Sequence, residues 1–349
     1  MKEVNNNSVH NKFKLNGFHF TREDLLRIAY SFIKEGDDFE KPVGIFILDW
    51  FDDHEYIEMT TSGTTGLPKK IRISKEAMVN SAIATGNYFG LEPGNRVLHC
   101  LPAKYVAGKM MFVRAFILGL DLDFVEPSSK PMARISQSYD FAAMVPLQVE
   151  NSLDKIHLIK KLIIGGAKVN ASLTEDLLQF DNEIFETYGM TETITHIAAK
   201  KIGEEAFNTL PNVTIEEDDR HCLVINAPKI SSEKIITNDA VKVLSETEFI
   251  WQGRIDNVIN SGGVKLFPEQ IEEKLSTKIN RRFFVASQDN HQLGEKLVLA
   301  IEGDPFPIDD EIFGELGKYE KPKVVLFVPQ FLETPTGKVL RKESLESIT

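Results

Sequence analysis

The chain has 349 residues, 42% of them hydrophobic and 26% charged, which is typical of a globular enzyme with a large core and two domains. Its formal net charge of -12 disfavours nucleic acid and anionic membranes as partners, so an anionic substrate must be attracted by a local basic site. No apolar run reaches membrane-spanning length and the only cysteines are Cys100 and Cys222, so we expect no stable membrane insertion and a reducing, cytoplasmic location.

Short apolar runs alternate with amphipathic segments along the first half of the chain, which predicts an α/β fold. Helical spacing extends over residues 74–89, where Ser74 is a suitable N-cap, and over residues 109–118. The candidate strands in this half are 44–48, 96–101, 123–126, 141–145, 161–164 and 183–186.

The second half has a different pattern. Short alternating segments separated by turn residues predict antiparallel strands over residues 213–251. After them, a helix is predicted at 267–275, with Pro268 in its first turn. Further strands are predicted at 283–286, 296–301 and 324–329.

Residues 60–70 read Thr-Thr-Ser-Gly-Thr-Thr-Gly-Leu-Pro-Lys-Lys and are the most informative segment of the chain. Gly63 and Gly66 allow backbone N–H groups to converge on an anion, while the hydroxyls and lysines add donors and positive charge. This composition predicts a phosphate-binding loop. It is not the Walker pattern, because Gly66 lies between Gly63 and Lys69 and no Ser or Thr follows the lysines. Taken alone, the segment is also compatible with a polar surface turn.

Three later segments of the chain have compositions that are informative together with this loop. They are Tyr-Gly-Met-Thr-Glu-Thr at 188–193, Gly-Arg-Ile-Asp-Asn with Ser-Gly-Gly-Val-Lys within 253–272, and Pro-Thr-Gly-Lys-Val-Leu-Arg-Lys at 335–342. In this order, the four motifs resemble those of the AMP-forming adenylating superfamily, which includes acyl-CoA synthetases, carrier-protein adenylation domains and luciferases. The resemblance extends from about Ile57 to the end of the chain.

The resemblance implies a two-step reaction. A carboxylate attacks the α-phosphate of ATP to give acyl-AMP and pyrophosphate, and a thiol such as that of coenzyme A then displaces AMP. Both steps spread negative charge, so Mg²⁺ and positioned cations are expected to stabilise them. The family architecture implies a large α/β adenylation domain over 1–255 and a small mobile α+β domain over 256–349, which rotates about Asp256 between the steps.

The chain departs from the family at its start, because only 59 residues precede the loop where relatives usually have well over a hundred. A reduced N-terminal part implies that one side of the acyl pocket is open or is covered by a partner subunit, which leaves a homodimer open.

The resemblance also assigns nucleotide-binding residues. The β- and γ-phosphates are expected to lie in the loop, against Thr61, Ser62, Gly63, Thr64, Thr65, Gly66 and Lys69. Adenine is expected to stack on Tyr188 beside Gly189, with the turn formed by Gly165, Gly166 and Ala167 as a further wall. Thr191 is expected to bind the α-phosphate, and Glu192 to be the Mg²⁺ ligand, since Mg²⁺ prefers one or two carboxylates together with phosphate oxygens.

Four further residues are expected to complete the nucleotide and CoA sites. Asp239 would bind the ribose hydroxyls, although Asn238 replaces the family's glycine before it; an Asn tolerates the positive φ that such a turn requires. Arg254 would reach the ribose or phosphate. Lys338, in its Pro-Thr-Gly-Lys context, would be the catalytic lysine of the first step. Gly262 and Gly263 would leave a tunnel for the pantetheine arm of CoA.

The acid is expected to bind along residues 101–116, with Tyr105, Gly108 and Arg114 as substrate residues. Arg114 lies in an apolar helical run, and a buried arginine needs an anionic partner. A structural ion pair is the alternative for this residue taken alone. The stretch resembles compact o-succinylbenzoate–CoA ligases of menaquinone biosynthesis, in which an arginine at this position would pair with the carboxylate that does not react. Many relatives have histidine in place of Tyr105.

Three other functions remain open from the sequence: a CoA ligase for another aryl or acyl acid, an adenylating enzyme that loads a carrier protein, and a nucleotide-binding protein that has lost catalysis. The last is disfavoured by the presence of Glu192, Lys338 and the glycine pair 262–263.

Overall fold

The computed structural model describes residues 8–60, 70–290, 294–333 and 339–348. The predicted phosphate loop from Thr61 to Lys69 and the predicted catalytic Lys338 lie outside the described residues. Two sheets hold most of the described strands, and a hairpin that flanks the loop forms a third, two-stranded sheet.

The strands are numbered in chain order. They are β1 (Lys14–Leu15), β2 (Phe18–His19), β3 (Tyr56–Thr60), β4 (Lys70–Ser74), β5 (Arg96–His99), β6 (Asp121–Phe124), β7 (Tyr139–Met144), β8 (Ile159–Ile164), β9 (Glu183–Gly189), β10 (His196–Lys201), β11 (Phe207–Thr209), β12 (Thr214–Glu217), β13 (Cys222–Asn226), β14 (Ile235–Ser245), β15 (Glu248–Arg254), β16 (Ile259–Ser261), β17 (Val264–Leu266), β18 (Phe283–Asn290), β19 (Gly294–Glu302) and β20 (Val324–Val328).

The helices follow the same numbering. They are α1 (Arg22–Lys34), α2 (Lys41–Phe51), α3 (Lys75–Phe89), α4 (Val106–Leu118), α5 (Pro146–Glu150), α6 (Ala171–Leu177), α7 (Pro268–Ser276) and α8 (Arg341–Glu346). None of the helices in the described ranges combines the length and the apolar character that crossing a bilayer requires.

The large sheet has thirteen strands in the order β12-β13-β14-β15-β11-β10-β9-β8-β7-β5-β6-β1-β2. Neighbours from β9 through β8, β7, β5 and β6 to β1 are parallel, whereas β9, β10, β11, β15, β14, β13 and β12 pair antiparallel. The pairing of the sheet therefore changes from parallel to antiparallel between β9 and β10. This confirms the predicted α/β class and the antiparallel segment after residue 213.

The helices α3 and α4 pack together beside this sheet. Ser74 caps α3, because its hydroxyl accepts a hydrogen bond from the Ala77 N–H at 3.3 Å, and Gly90 ends the helix at φ 62°. Every residue of α4 from Gly108 to Ile117 is buried. Both helices are confirmed, and the burial of α4 from Gly108 to Ile117 explains why this run is apolar all round apart from Lys109 and Arg114.

The predicted strand at 44–48 is wrong, because these residues lie in helix α2. Val43, Phe46, Ile47 and Trp50 are buried and have the 3–4 spacing of one helical face, whereas Ile45 remains 49% exposed. A short apolar run cannot be assigned by hydrophobicity alone, and here the adjacent Pro42 and the longer spacing indicate a helix.

The second sheet begins at β16 and contains β17-β16-β19-β18, with β20 parallel to β19. Its strands and α7 form a separate apolar cluster that includes Ile271, Leu275 and Leu299. The helix at 267–275 and the three late strands are confirmed within a few residues. The division of the chain into domains at Asp256 stays a prediction.

Candidate active site

The carboxyl ends of β8 and β9 bring two predicted motifs together. These strands are parallel neighbours, so they end at the same edge of the sheet. Gly165 directly follows β8, and a Cβ there would lie 2.7 Å from Thr187 Oγ1 of β9. Gly166 adopts φ 84°, and both Gly166 and Ala167 are exposed. The turn predicted to contact adenine therefore lies next to Tyr188.

The turn that connects β9 to β10 is held by one hydroxyl. Thr193 Oγ1 accepts a hydrogen bond from the Met190 N–H at 2.9 Å and donates to Thr195 O at 2.7 Å. Ile194 adopts φ 68°, which is strained for a β-branched residue. Gly189 has no room for a side chain against the backbone of Thr195 and His196. This strained turn places Glu192 toward solvent and Thr195 toward Arg114.

Glu192 lies on the solvent side of the turn, where its side chain is exposed, and Thr191 beside it is half-buried. With the described residues, Glu192 forms no ion pair. An unpaired, exposed carboxylate fits a Mg²⁺ ion that takes its other ligands from phosphate and water. Among the described residues, no group of three or more His, Cys, Asp or Glu side chains forms a metal cage of its own.

Asp239 is 6% exposed and accepts hydrogen bonds on both carboxylate oxygens. The Tyr188 hydroxyl donates to Oδ2 at 2.7 Å, and the Trp251 indole N–H donates to Oδ1 at 3.2 Å. Burial raises the pKa of Tyr188, and the charge of Asp239 raises it further, so the phenol stays protonated. The structure thus joins the predicted adenine-stacking residue to the predicted ribose-binding residue.

Arg254 lies beside this carboxylate and beside the predicted hinge. Its guanidinium is 3.7 Å from Asp239 Oδ1 and 2.9 Å from Asp256 Oδ2. Asn238 is within strand β14 and is not among the described residues with positive φ. The expectation that Asn238 substitutes for a glycine in a positive-φ turn is therefore wrong. Its side chain instead contacts Asp256 at 3.3 Å.

Gly262 and Gly263 form the two-residue turn between β16 and β17, with φ 60° and 83°. Two positive φ angles are what a type I′ hairpin turn requires, so the glycines have a structural reason to be there. No atom lies within 4 Å of a Cβ built on Gly263. Their predicted role beside CoA stays a prediction.

Arg114 lies in α4, is 2% exposed, and has no carboxylate partner among the described residues. Its Nη2 donates to Thr195 Oγ1 at 3.3 Å, its Nη1 lies 3.4 Å from Met111 Sδ, and its Nε has no hydrogen-bond partner there. Burial lowers the pKa of Arg114 to about 10, which still leaves it charged at neutral pH. A buried, charged guanidinium without a counter-ion is costly, so the site favours an added anion.

Two buried histidines lie near this guanidinium. Burial lowers the pKa of His99 to about 3 and that of His196 well below its ordinary value, and the charge of Arg114 contributes to both shifts. Both imidazoles are therefore neutral at physiological pH. His99 Nδ1 is buried and has no hydrogen-bond partner among the described residues. Within the described part of the chain, the groups that contact Arg114 are uncharged.

The other predicted substrate residues are at the start of α4. Tyr105 is the N-cap residue, is 38% exposed, and lies under the Lys104 ammonium at 4.9 Å. Gly108 packs so closely on the carbonyl of Pro102 that a Cβ would overlap it. Gly108 therefore has a packing role that is independent of any substrate.

A cavity of about 190 Å³ lies beside His196, between α3 and the segment that follows β11. It is lined in part by Asn80, Ala84, Leu210 and Lys229, and none of the sequence-predicted site residues line it. This cavity is therefore separate from the predicted nucleotide and acid residues.

Sequence reasoning missed Thr195, His196 and Trp251. Thr195 and His196 directly follow the strained turn and begin an apolar strand, so an isolated polar pair in front of an apolar run was the available signal. Trp251 is one of two tryptophans and stands two residues before Gly253. Neither pattern identifies a contact in the sequence. The contacts of Thr195 with Arg114 and of Trp251 with Asp239 are visible only in the structure.

Comparisons with known proteins agree with these observations. A family model described as "AMP-binding enzyme" matches residues 51–225. The crystal structure of an acyl-CoA synthetase (AMP-forming)/AMP-acid ligase II-like protein from Dyadobacter fermentans is 32% identical, with a TM-score of 0.62, and covers 93% of this chain and 98% of that one. This chain belongs to the AMP-binding enzyme family.

Two further relatives carry a more specific name. The 2-succinylbenzoate–CoA ligase of Haemophilus influenzae is 26% identical over 318 residues, which are 81% of this chain and 68% of that protein. The o-succinylbenzoate coenzyme A synthetase of Bacillus subtilis, solved with ATP and magnesium ion, gives a TM-score of 0.73 over 82% of this chain and 69% of that one. At 19% identity, this second similarity shows the shared fold.

Proposed function

We propose that this protein is an AMP-forming acid–CoA ligase and that its acid is o-succinylbenzoate, which it converts to o-succinylbenzoyl-CoA for menaquinone biosynthesis. The observation that carries the choice of acid is the buried guanidinium of Arg114, which has no carboxylate partner among the described residues. The relatives named 2-succinylbenzoate–CoA ligase support the same acid.

The electrostatics of Arg114 support a dicarboxylic acid. One carboxylate must react with ATP, so it cannot remain paired with a buried arginine. A second carboxylate on the same molecule can stay in place through both steps and neutralise the guanidinium with two parallel N–H···O bonds. A monocarboxylic acid would leave this buried charge unpaired in every step, which costs several kcal/mol by order of magnitude.

The nucleotide would bind at the edge formed by β8, β9 and β14. Tyr188 and the 165–167 turn would enclose adenine, Asp239 would accept from the ribose hydroxyls, and Arg254 would contact ribose or phosphate. Asp239 can do this while bound to Tyr188 and Trp251, because each carboxylate oxygen has a second lone pair.

The remaining roles follow the family assignments. Residues 61–69 would hold the β- and γ-phosphates, Thr191 the α-phosphate, and Glu192 the Mg²⁺ ion, which would neutralise phosphate charge. Lys338 would bridge the reacting carboxylate and the α-phosphate, and Gly262 and Gly263 would admit the pantetheine arm of CoA. We place the reaction in the cytoplasm, which the two buried, free cysteines support.

A panel of acids tests this proposal. The protein is incubated with ATP, Mg²⁺, CoA and each acid, and the products are read as thioester mass and as pyrophosphate and AMP. We expect o-succinylbenzoate to be preferred over 4-oxo-4-phenylbutanoate, which lacks the ring carboxylate but is otherwise the same acid. Equal rates with these two acids would mean that Arg114 is structural and that the substrate is a monocarboxylic acid. Pyrophosphate release with acyl-AMP retained and without CoA thioester would indicate another acceptor, such as a carrier protein.

A further inference from the structure

A chain of hydrogen bonds runs from Arg114 in α4 to the backbone of α3. Arg114 Nη2 lies 3.3 Å from Thr195 Oγ1, and Thr195 Oγ1 lies 3.3 Å from His196 Nδ1. On the other side of the ring, His196 Nε2 lies 3.4 Å from Thr85 Oγ1, which in turn donates to Ser81 O at 2.9 Å. The hydroxyl of Thr195 is the one oxygen that accepts from Arg114 within the described part of the chain.

The direction of each bond follows from counting protons. Thr85 uses its single hydroxyl proton on the Ser81 carbonyl, so it can only accept from His196 and the proton must be on Nε2. A neutral imidazole with Nε2–H has a bare Nδ1, which accepts the hydroxyl proton of Thr195. Arg114 is always a donor, and Thr195 is therefore its acceptor. The four hydrogen bonds are compatible with one another in a single arrangement of protons.

We propose that Thr195, His196 and Thr85 are positioning residues that fix the orientation of the Arg114 guanidinium, and that they thereby determine the preference for an acid with a second carboxylate. This inference rests on the proposed function. Without the chain, the guanidinium keeps, among the described residues, only a weak contact to Met111 Sδ, and it can turn about its last dihedral angles. A planar fork that is free to turn loses its advantage in binding a carboxylate with two bonds.

The chain also favours a neutral His196. In a protonated ring Nδ1 also carries a proton, so it would donate to Thr195 and could no longer accept the Thr195 hydroxyl proton, which would then have no acceptor in this chain. Burial and the charge of Arg114 both disfavour that form. The neutral ring thus acts as a fixed acceptor that turns the Thr195 lone pairs toward the guanidinium.

Substitutions of matched shape test the proposal. Thr195→Val removes the hydroxyl but keeps the branched shape, and Thr195→Ser keeps the hydroxyl. Thr85→Val breaks the chain at its far end without touching Arg114. Thr209→Val is the control, because its buried hydroxyl donates to Val213 O at 2.9 Å and takes no part in the chain. Urea unfolding curves establish that each variant is folded.

We expect Thr195→Val to reduce the ratio of kcat/KM for o-succinylbenzoate to that for 4-oxo-4-phenylbutanoate by roughly ten- to a hundredfold, as for loss of a hydrogen bond to a charged group. The reduction should come from KM for the dicarboxylic acid, while KM for ATP stays unchanged. Thr85→Val should reduce the ratio less, and Thr195→Ser and Thr209→Val should keep it within about threefold. An unchanged ratio in Thr195→Val overturns the proposal.

The histidine tautomer gives a readout that is independent of activity. In protein labelled with ¹⁵N-histidine, the signal of His196, assigned by its loss in His196→Gln, should show a protonated Nε2 and a bare Nδ1. In Thr85→Val, this tautomer should lose its preference. A protonated Nδ1 in the wild-type protein would overturn the chain whatever the substrate. If the wild-type protein has the expected tautomer but does not distinguish the two acids, the proposed function fails instead.

Discussion

Lys75 and Arg114 are two fully buried cations in neighbouring helices, and their surroundings differ in one respect. Lys75, at the start of α3, has its ammonium 2.7 Å from Asp52 Oδ1 and 3.1 Å from Asp52 O. Arg114, in α4, has a hydroxyl and a thioether as neighbours and no carboxylate in the described ranges. The Lys75 charge is neutralised by a carboxylate, whereas the Arg114 charge is not neutralised by any described residue.

The difference separates a structural charge from one that is kept for a ligand. A buried ion pair that supports the fold is complete before any ligand binds. A buried charge without a partner destabilises the folded protein, and such a cost is typically found at sites where binding or catalysis needs it. The comparison therefore predicts opposite effects when each cation is replaced by methionine, which keeps much of the apolar volume.

The largest expected effect is on activity. Arg114→Met should lower kcat/KM for o-succinylbenzoate by about 30-fold to several thousandfold, since truncating one partner of a buried charge pair costs about 2–5 kcal/mol. KM for ATP should not change. Pyrophosphate release with varied acid measures this, and Arg114→Lys should recover only part because an ammonium lacks the planar fork. Full activity in Arg114→Met would place Arg114 with Lys75 as a structural residue.

The next effect is on stability. Lys75→Met should lower the free energy of unfolding by about 1.5–3 kcal/mol, because Asp52 loses a charged hydrogen-bond partner. Arg114→Met should leave the free energy of unfolding equal or raise it, because it removes an unpaired buried charge. Urea denaturation of both variants beside the wild-type protein measures the difference. A larger loss of stability in Arg114→Met than in Lys75→Met would refute the distinction between the two charges.

The smallest effect concerns pH. Since the folded-state pKa of His99 is about 3 and its ordinary value is 6.5, the unfolded chain takes up a proton that the folded protein refuses. The His99 contribution to stability is thus complete above pH 6.5 and is lost as pH falls toward 3. Burial raises the pKa of Asp52, but hydrogen bonds from Lys75 and His54 lower it to about 2, so its contribution is lost only below 3.8.

The two pH ranges distinguish the surroundings of Arg114, through His99, from the Lys75–Asp52 pair. His99→Phe should flatten the fall in melting temperature between pH 6.5 and about 4, and Lys75→Met should flatten only the part below about 4. Melting temperatures measured across this range at constant ionic strength test both. If His99→Phe leaves the slope above pH 4 unchanged, the pKa of His99 is not lowered by folding.

Local patterns were enough for most elements. Ser74 with the spacing behind it identified α3, and the alternation after residue 213 identified the antiparallel strands, because these signals depend only on neighbours in sequence. Residues 44–48 were assigned wrongly because five apolar residues fit a buried strand as well as a helix. The family was also evident from its ordered motifs, and the family match confirms it.

The candidate site was only partly predictable. The sequence indicated that Arg114 is buried and needs an anion, since it lies in an apolar helical run. It could not indicate whether one of the 52 acidic side chains supplies that anion, because ion pairs form between residues far apart in sequence. Lys75 and Asp52 show this, since 23 residues separate two groups whose pairing no local pattern specifies.

What the sequence alone determined is therefore the family, the chemistry of its motifs and most helices and strands, all of which are encoded by residue type and short spacing. Only the tertiary structure decided which charges are paired, which histidines are neutral and which hydroxyls face Arg114. Thr195 and Arg114 are 81 residues apart, and Thr85 and His196 are 111 apart. Their contacts exist because β10, α3 and α4 pack together, and packing of distant segments is a property of the whole fold.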